Sequence, residues 1–157
     1  MPKVPSNLTG AAGEYFIAYK ISCMGLVAAL PRSGAIGVDV LVSNLDGSKT
    51  LAIQVKTTDW AERTRGRGNK KEAFQLQFPL GHKSAKINNP HLFFAFVDLR
   101  GIDNADLHPD VYLVPSRFVF DHCKAWSDQA KMVRLHVEIS KLERYKNNWT
   151  ALVDSLK

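Results

Sequence analysis

The most regular pattern in the chain is a pair of alternating runs. In Gly37-Val38-Asp39-Val40-Leu41-Val42 and Leu51-Ala52-Ile53-Gln54-Val55-Lys56, residue character follows the two-residue period of a β-strand. The Asp46-Gly47 pair between them predicts a hairpin turn. With those two residues as the loop, Asp39 faces Gln54 across the ladder, and Lys56 lies two residues further along on the same face. Val38, Val40, Val42, Leu51, Ile53 and Val55 fall on the other face, which is wholly aliphatic. An odd number of loop residues would move the polar set to opposite faces, because side chains alternate strictly.

The remaining pattern predicts a helix over Ser6–Met24, entered through Ser6-Asn7-Leu8-Thr9 and closed by Gly25. Phe16, Ile17, Tyr19 and Ile21 supply its apolar contacts. Leu26 to Leu30 reads as a short buried strand, with Ser33-Gly34 as loop punctuation before the hairpin. Phe74, Leu76 and Phe78 alternate with Gln75 and Gln77 in a half-exposed strand or edge. The continuous apolar run from Leu92 to Val97 predicts a central strand, and Val111 to Val114 another. Pro115-Ser116 opens a short helix holding Phe118, Val119 and Cys123. Val133, Leu135, Val137 and Ile139 alternate in a last strand. Ser140-Lys141-Leu142-Glu143 reads as a capping box for a final helix carrying Leu142, Tyr145, Trp149, Leu152 and Leu156. A helix, then strands, then helices gives an α/β or α+β fold with a central mixed sheet. No repeat or linker divides residues 1–157, so a single domain is expected.

Composition narrows the class. A chain of 157 residues with 45% hydrophobic and 23% charged residues is ordinary for a globular protein. Its net charge of +6 favours polyanionic partners through long-range attraction and counterion release. Cys23 and Cys123 are far apart and show no zinc spacing, so two reduced thiols are the simplest account. No apolar run approaches the roughly 18 residues a membrane helix needs. The N-terminal residues lack the apolar stretch of a signal peptide. The expectation is a soluble, intracellular protein with no membrane partner.

The polar face of the hairpin carries the candidate chemistry. Directly opposed residues place their Cβ atoms about 5 Å apart, so an Asp39 carboxylate and a Gln54 amide oxygen can share one Mg2+. Lys56 would stand beside a bound phosphate as a compact positive charge. The same three residues are also what the wet face of any hairpin carries. Glu14 adds to the set: helical spacing puts it on the stripe of Ile17 and Ile21, facing further inward than a solvated glutamate would.

Glu in the first helix, Asp entering one strand and Gln-x-Lys in the next resembles the PD-(D/E)XK nuclease superfamily. The matching residues are Glu14, Asp39, Gln54 and Lys56, within Gly-Val-Asp-Val-Leu-Val and Ile-Gln-Val-Lys-Thr-Thr. The resemblance covers residues 8–57, with looser agreement in the later strands and closing helix. It is similar to the Holliday-junction-resolvase-like branch and to small homing endonucleases that use Gln-x-Lys. The resemblance implies a restriction-endonuclease-like α/β core, a central mixed sheet flanked by helices. It also implies Mg2+- or Mn2+-dependent hydrolysis of phosphodiester bonds in double-stranded DNA, by a homo-oligomer. Glu14, Asp39 and Gln54 would be metal ligands, joined by the Val55 carbonyl, and Lys56 would orient water or stabilise charge. Gln54 departs from the usual second acid, removing a negative charge. The same core also serves junction-resolving and repair nucleases, and non-catalytic nucleic-acid-binding modules.

Downstream, Arg63, Arg65, Arg67, Lys70 and Lys71 lie among Gly66, Gly68 and Asn69 with no large hydrophobic residue. They read as a flexible basic loop placed to grip the phosphate backbone, with Lys83 and Lys86 extending it. Trp60 is a candidate for stacking on a base, whereas Trp126 and Trp149 read as core.

Overall fold

The computed structural model describes residues 4–32, 37–101, 108–124 and 133–157. The Ser33-Gly34 punctuation and Trp126 lie outside the described residues. Helix α1 spans Ser6–Cys23, where the apolar spacing predicts it. Ile17 and Ile21 are buried along its inner side, whereas Tyr19, expected to join them, is 62% exposed. The helix closes as its sequence suggests: Gly25 N–H donates to Ser22 O and Leu26 N–H to Ile21 O. Its entry is simpler than expected, for Pro5 stands at the cap position and no side chain caps the first turn.

Three antiparallel strands follow, β1 (Val27–Ala29), β2 (Val40–Ser43) and β3 (Thr50–Thr58). β1 is an edge strand with Val27 and Ala29 exposed, so the expected buried strand is corrected to a half-covered rim. The β2–β3 ladder pairs Val40 with Ile53, Leu41 with Ala52 and Val42 with Leu51, the predicted register. The loop is longer than the two residues expected. Ladder pairing ends at Ser43 and Thr50, and Asn44 N–H reaches Lys49 O at 3.3 Å. Because the added residues are even in number, the parity of every side chain is kept.

Next comes the segment expected to be a flexible loop, and here the structure differs. Glu62–Arg65 forms β4 and Glu72–Pro79 forms β5, joined by a short 3-10 turn at Gly68–Lys70. Strands β6 (Leu92–Asp98) and β7 (Asp110–Pro115) come after a single turn of helix, α2 (His82–Ala85). Helix α3 (Ser116–Cys123) precedes β8 (Arg134–Glu138). The result is two sheets. One has five strands in the order β1-β2-β3-β6-β7, mixed because β3 and β6 alone run parallel. The other has three antiparallel strands, β4-β5-β8. Thus β5 is half-exposed as expected, with Leu76 and Phe78 buried, but it is the central strand of its sheet and not an edge.

Apolar residues fill both faces of the five-stranded sheet. On one face Ile17 and Ile21 of α1 meet Val40, Val42, Ile53, Val55 and Ala95. On the other, Phe94, Phe96 and Tyr112 are covered by Leu76, Phe78, Leu135 and Val137 from the second sheet and by Val119 of α3. Every residue of β6 is buried, as a continuous apolar run requires.

The expected final helix is broken into α4 (Ile139–Leu142), a 3-10 turn (Glu143–Tyr145) and α5 (Thr150–Ser155). Asn147 sets the break, with a positive φ of 49°. Its N–H donates to Val111 O and its Oδ1 accepts from Val111 N–H, so it docks on β7 instead of continuing a helix. No capping-box bond forms at Ser140. No described helix is long and apolar enough to cross a membrane.

Candidate active site

Glu14 and Lys56 both come within electrostatic reach of Asp39 where β2 and β3 separate. Val40 and Ile53 are the last ladder pair, and one residue earlier Asp39 leaves the register. Its N–H donates to Ile53 O at 2.9 Å instead of pairing with Gln54. Its Oδ2 accepts from Val55 N–H at 2.7 Å, so the carboxylate takes the place a neighbouring strand's carbonyl would fill. Asp39 is thereby held by backbone at both ends of the residue. The direct Asp39–Gln54 opposition expected from parity is corrected to this one-residue offset.

Gln54 occupies a different environment from the one a hairpin's polar face suggests. In the parallel register it lies beside Phe94, and Lys56 beside Phe96, on the face covered by the second sheet. Gln54 is only 7% exposed, and its Oε1 has no hydrogen-bond partner. An orphaned buried oxygen carries a desolvation penalty of about 1–3 kcal/mol. Such an atom is rare enough in a folded protein to call for an explanation.

The titrations of the neighbours are shifted in opposite directions. Partial burial, followed by the nearby Asp39 charge, pushes the Glu14 carboxyl above its ordinary range. Burial pushes the Lys56 ammonium down, and the attraction of Asp39 opposes that shift. Asp39 is therefore in electrostatic reach of both Glu14 and Lys56. Its charge sits between an acid that resists ionising and a base that yields its proton more readily.

Sequence reasoning missed Gly13 and Thr57. A Cβ on Gly13 would overlap the Thr57 hydroxyl oxygen, so the missing side chain is what lets α1 approach β3 here. That contact sets Glu14, one residue on, at the fork. Thr57 Oγ1 is a second buried oxygen without a partner. A legible signal existed, since a glycine inside a helix is unfavourable by about 1 kcal/mol and usually has a packing reason.

The oxygen donors at the fork are two carboxylates and one amide. Among the described residues no three His, Cys, Asp or Glu side chains gather as a metal site. Glu14, Asp39 and the orphaned Gln54 Oε1 are hard-oxygen donors, the kind that could hold Mg2+ or Mn2+. A cation there would favour the ionised form of Glu14 and offer Gln54 Oε1 the partner it lacks.

The basic residues lie on β4 and the turn that follows it. Arg63 is fixed on β4, donating to Gln77 Oε1 at 2.7 Å and to the carbonyls of Trp60 and Glu62. Arg65 pairs with Glu72 at 2.7 Å and rests over the Phe74 ring. Arg67, Lys70 and Lys71 are exposed at the turn between β4 and β5. Trp60 is 42% exposed, with the Arg100 guanidinium 4.6 Å from its ring centre. Arg100 also lies 3.5 Å from Glu62, so the Trp60 face already has a stacking partner within the chain.

No protein-family model and no curated protein matches the sequence. Among solved structures, that of the bacterial homing endonuclease I-Ssp6803I has a similar fold. Its TM-score is 0.60 at 12% identity, covering 98% of this chain and 95% of that one. The chain therefore has the α/β architecture of that nuclease, a mixed five-stranded sheet flanked by helices.

Proposed function

We propose that the protein is a metal-dependent DNA endonuclease that hydrolyses phosphodiester bonds at the Asp39 fork. The observation that carries this reading is the Asp39 carboxylate, fixed by Val55 N–H within electrostatic reach of Glu14 and Lys56, with the buried Gln54 Oε1 left unpartnered on the strand that carries Lys56. A shared fold with a homing endonuclease and a net charge of +6 support it. Glu14, Asp39 and Gln54 would hold Mg2+ or Mn2+. Such an ion supplies Lewis-acid stabilisation of a phosphate and acidifies a bound water.

The chain's own groups do the positioning. Val55 N–H fixes the Asp39 carboxylate, so the central ligand needs no rearrangement before a substrate arrives. Burial keeps water away from Gln54, and the partial burial of Glu14, Asp39 and Lys56 strengthens the charge interactions among them. Lys56, its ammonium depressed by the same burial, can donate to a phosphate oxygen or orient the attacking water. Each chain carries one fork and a duplex has two strands, so a homo-oligomer is the form that cuts both.

The test is nicking of supercoiled plasmid with Mg2+ by the full chain. Asp39→Ala is expected to lose at least about a hundredfold in rate, and Lys56→Ala a comparable amount, with binding to DNA retained. Equal nicking by all three proteins would remove the assignment. In a metal titration, Gln54→Glu is expected to bind Mg2+ more tightly than wild type. Unchanged affinity would show that Gln54 is not a ligand.

A further inference from the structure

The outward face of the three-stranded sheet has a composition that its packing does not explain. Alternation sends Leu76, Phe78, Leu135 and Val137 into the core. The residues between them therefore face away from it. The register sets Arg63 opposite Gln75, Gln77 opposite His136, and Gln75 opposite Glu138. Several of these heads are tied together. Arg63 Nε donates to Gln77 Oε1 at 2.7 Å, and Gln77 Nε2 lies 3.5 Å from His136 Nε2. The Arg63 guanidinium is also held from behind by the carbonyls of Trp60 and Glu62.

Beyond Gln75 the third strand stops pairing, and β4 and β5 continue as a two-stranded ribbon. Every residue from Thr64 to Ala73 is exposed. A bulge between Arg63 and Thr64 bends the ribbon at its root. The turn depends on Gly66, at a positive φ of 95°, where any side chain would overlap the Lys70 carbonyl. The ribbon carries Arg65, Arg67, Lys70 and Lys71 against one acid, Glu72. A two-stranded ribbon is marginally stable by itself in water and buries little here, so its shape calls for a partner.

Charge and chemistry specify that partner. The major groove of B-DNA, about 12 Å wide, admits a two-stranded ribbon. Phosphate oxygens only accept hydrogen bonds, and lysine and arginine at the tip suit them. At the root the residues change to Gln75, Gln77 and His136, with Glu138 opposite Gln75; the two amides and the imidazole can each present both a donor and an acceptor. Phosphate can use only half of that capacity. Base edges display both kinds of group, and glutamine and arginine match adenine and guanine edges in pairs of bonds.

We propose that this ribbon and the face at its root read DNA sequence in the major groove. Arg67, Lys70 and Lys71 hold phosphates, and Gln75, Gln77, His136 and the pre-set Arg63 contact base edges. The inference rests on the endonuclease reading of the fork, but its residues are separate from that site. The test is selection of bound duplexes from a random-sequence DNA pool in metal-free buffer, with wild type, Gln75→Ala, Gln75→Ala/Gln77→Ala and Lys70→Ala/Lys71→Ala. Wild type should enrich a preferred sequence. The glutamine variants should lose roughly 5- to 150-fold of discrimination at one or two positions, with the salt dependence of binding unchanged. The lysine variant should weaken binding to all sequences and reduce the salt slope by about 2. Gln75→Ala alone answers the question if Gln77→Ala disturbs Arg63. A wild type that binds and nicks DNA but shows no preference, or glutamine variants that keep it, would overturn this inference and leave the endonuclease standing. Neither binding nor nicking by wild type would overturn both.

Discussion

The fork around Asp39 and the ribbon from Thr64 to Ala73 are both built from charged and polar side chains, but water treats them in opposite ways. At the fork, burial shifts Glu14 up and Lys56 down and leaves the Gln54 and Thr57 oxygens unpartnered. Along the ribbon, Arg65 and Glu72 pair while remaining 66% and 61% exposed. The fork thus holds its groups in a state that a ligand can relieve, whereas the ribbon projects charge without storing anything. The contrast teaches where mutation should be felt: in stability and chemistry at the fork, in binding alone at the ribbon.

The most demanding test of the contrast is Gly13→Ala. Helix propensity alone favours alanine by about 1 kcal/mol. The overlap with the Thr57 hydroxyl reverses the sign, and urea denaturation is expected to show a net loss of about 1–3 kcal/mol. Thr57→Ala should restore part of that loss. A gain in stability from Gly13→Ala alone would mean that α1 does not press on β3 as described.

Next in size is Gln54→Leu. Replacing an unpartnered buried amide by an apolar side chain of similar length is expected to stabilise the metal-free protein by about 1 kcal/mol. Mg2+ should then raise the melting temperature of wild type and have a smaller effect on the variant. An equal rise in both would separate Gln54 from the metal.

Glu14→Gln gives a smaller, pH-dependent effect. The folded carboxyl titrates above its ordinary value of 4.5, so the native state holds the proton more tightly than the unfolded chain. The resulting stabilisation is complete below that value and is lost as pH rises through the folded pKa. Wild-type stability without metal should therefore fall across that window relative to Glu14→Gln, and parallel pH profiles would contradict the shift. Arg65→Ala, at the ribbon, should change the unfolding free energy by no more than about 0.5 kcal/mol. A larger loss would show that the ribbon supports the fold.

What the sequence disclosed follows from where each constraint originates. The β2–β3 register was legible because alternation and turn lie within one short segment, and an even loop preserved it when its length was misjudged. Gln54 and Lys56 were placed on β3 for the same reason, whereas Asp39, one residue before β2, leaves the register. The burial of Gln54 was hidden, because the residues that cover its face, Leu76, Phe78, Leu135 and Val137, come from distant segments. The ribbon looked like a loop because no large apolar residue marks it between Glu62 and Ala73. Its strands are aligned from the root, where Leu76 and Ala61 enter the core. The last helix failed at Asn147, whose bonds to Val111 reward a break that apolar periodicity cannot register.

The parallel pairing of β3 with β6 has one more consequence. Parallel neighbours need a long return path, and here that path, from Thr58 to Leu92, contains β4, β5 and the ribbon between them. The ribbon is thus a detour within a connection whose two ends are pinned in one sheet. Its tip can be lengthened, trimmed or exchanged while Asp39, Gln54 and Lys56 keep their places. On the reading proposed above, phosphate grip at the tip, base contact at the root and the chemistry of the fork are separable parts, and exchanging the tip would change affinity while leaving preference to the root.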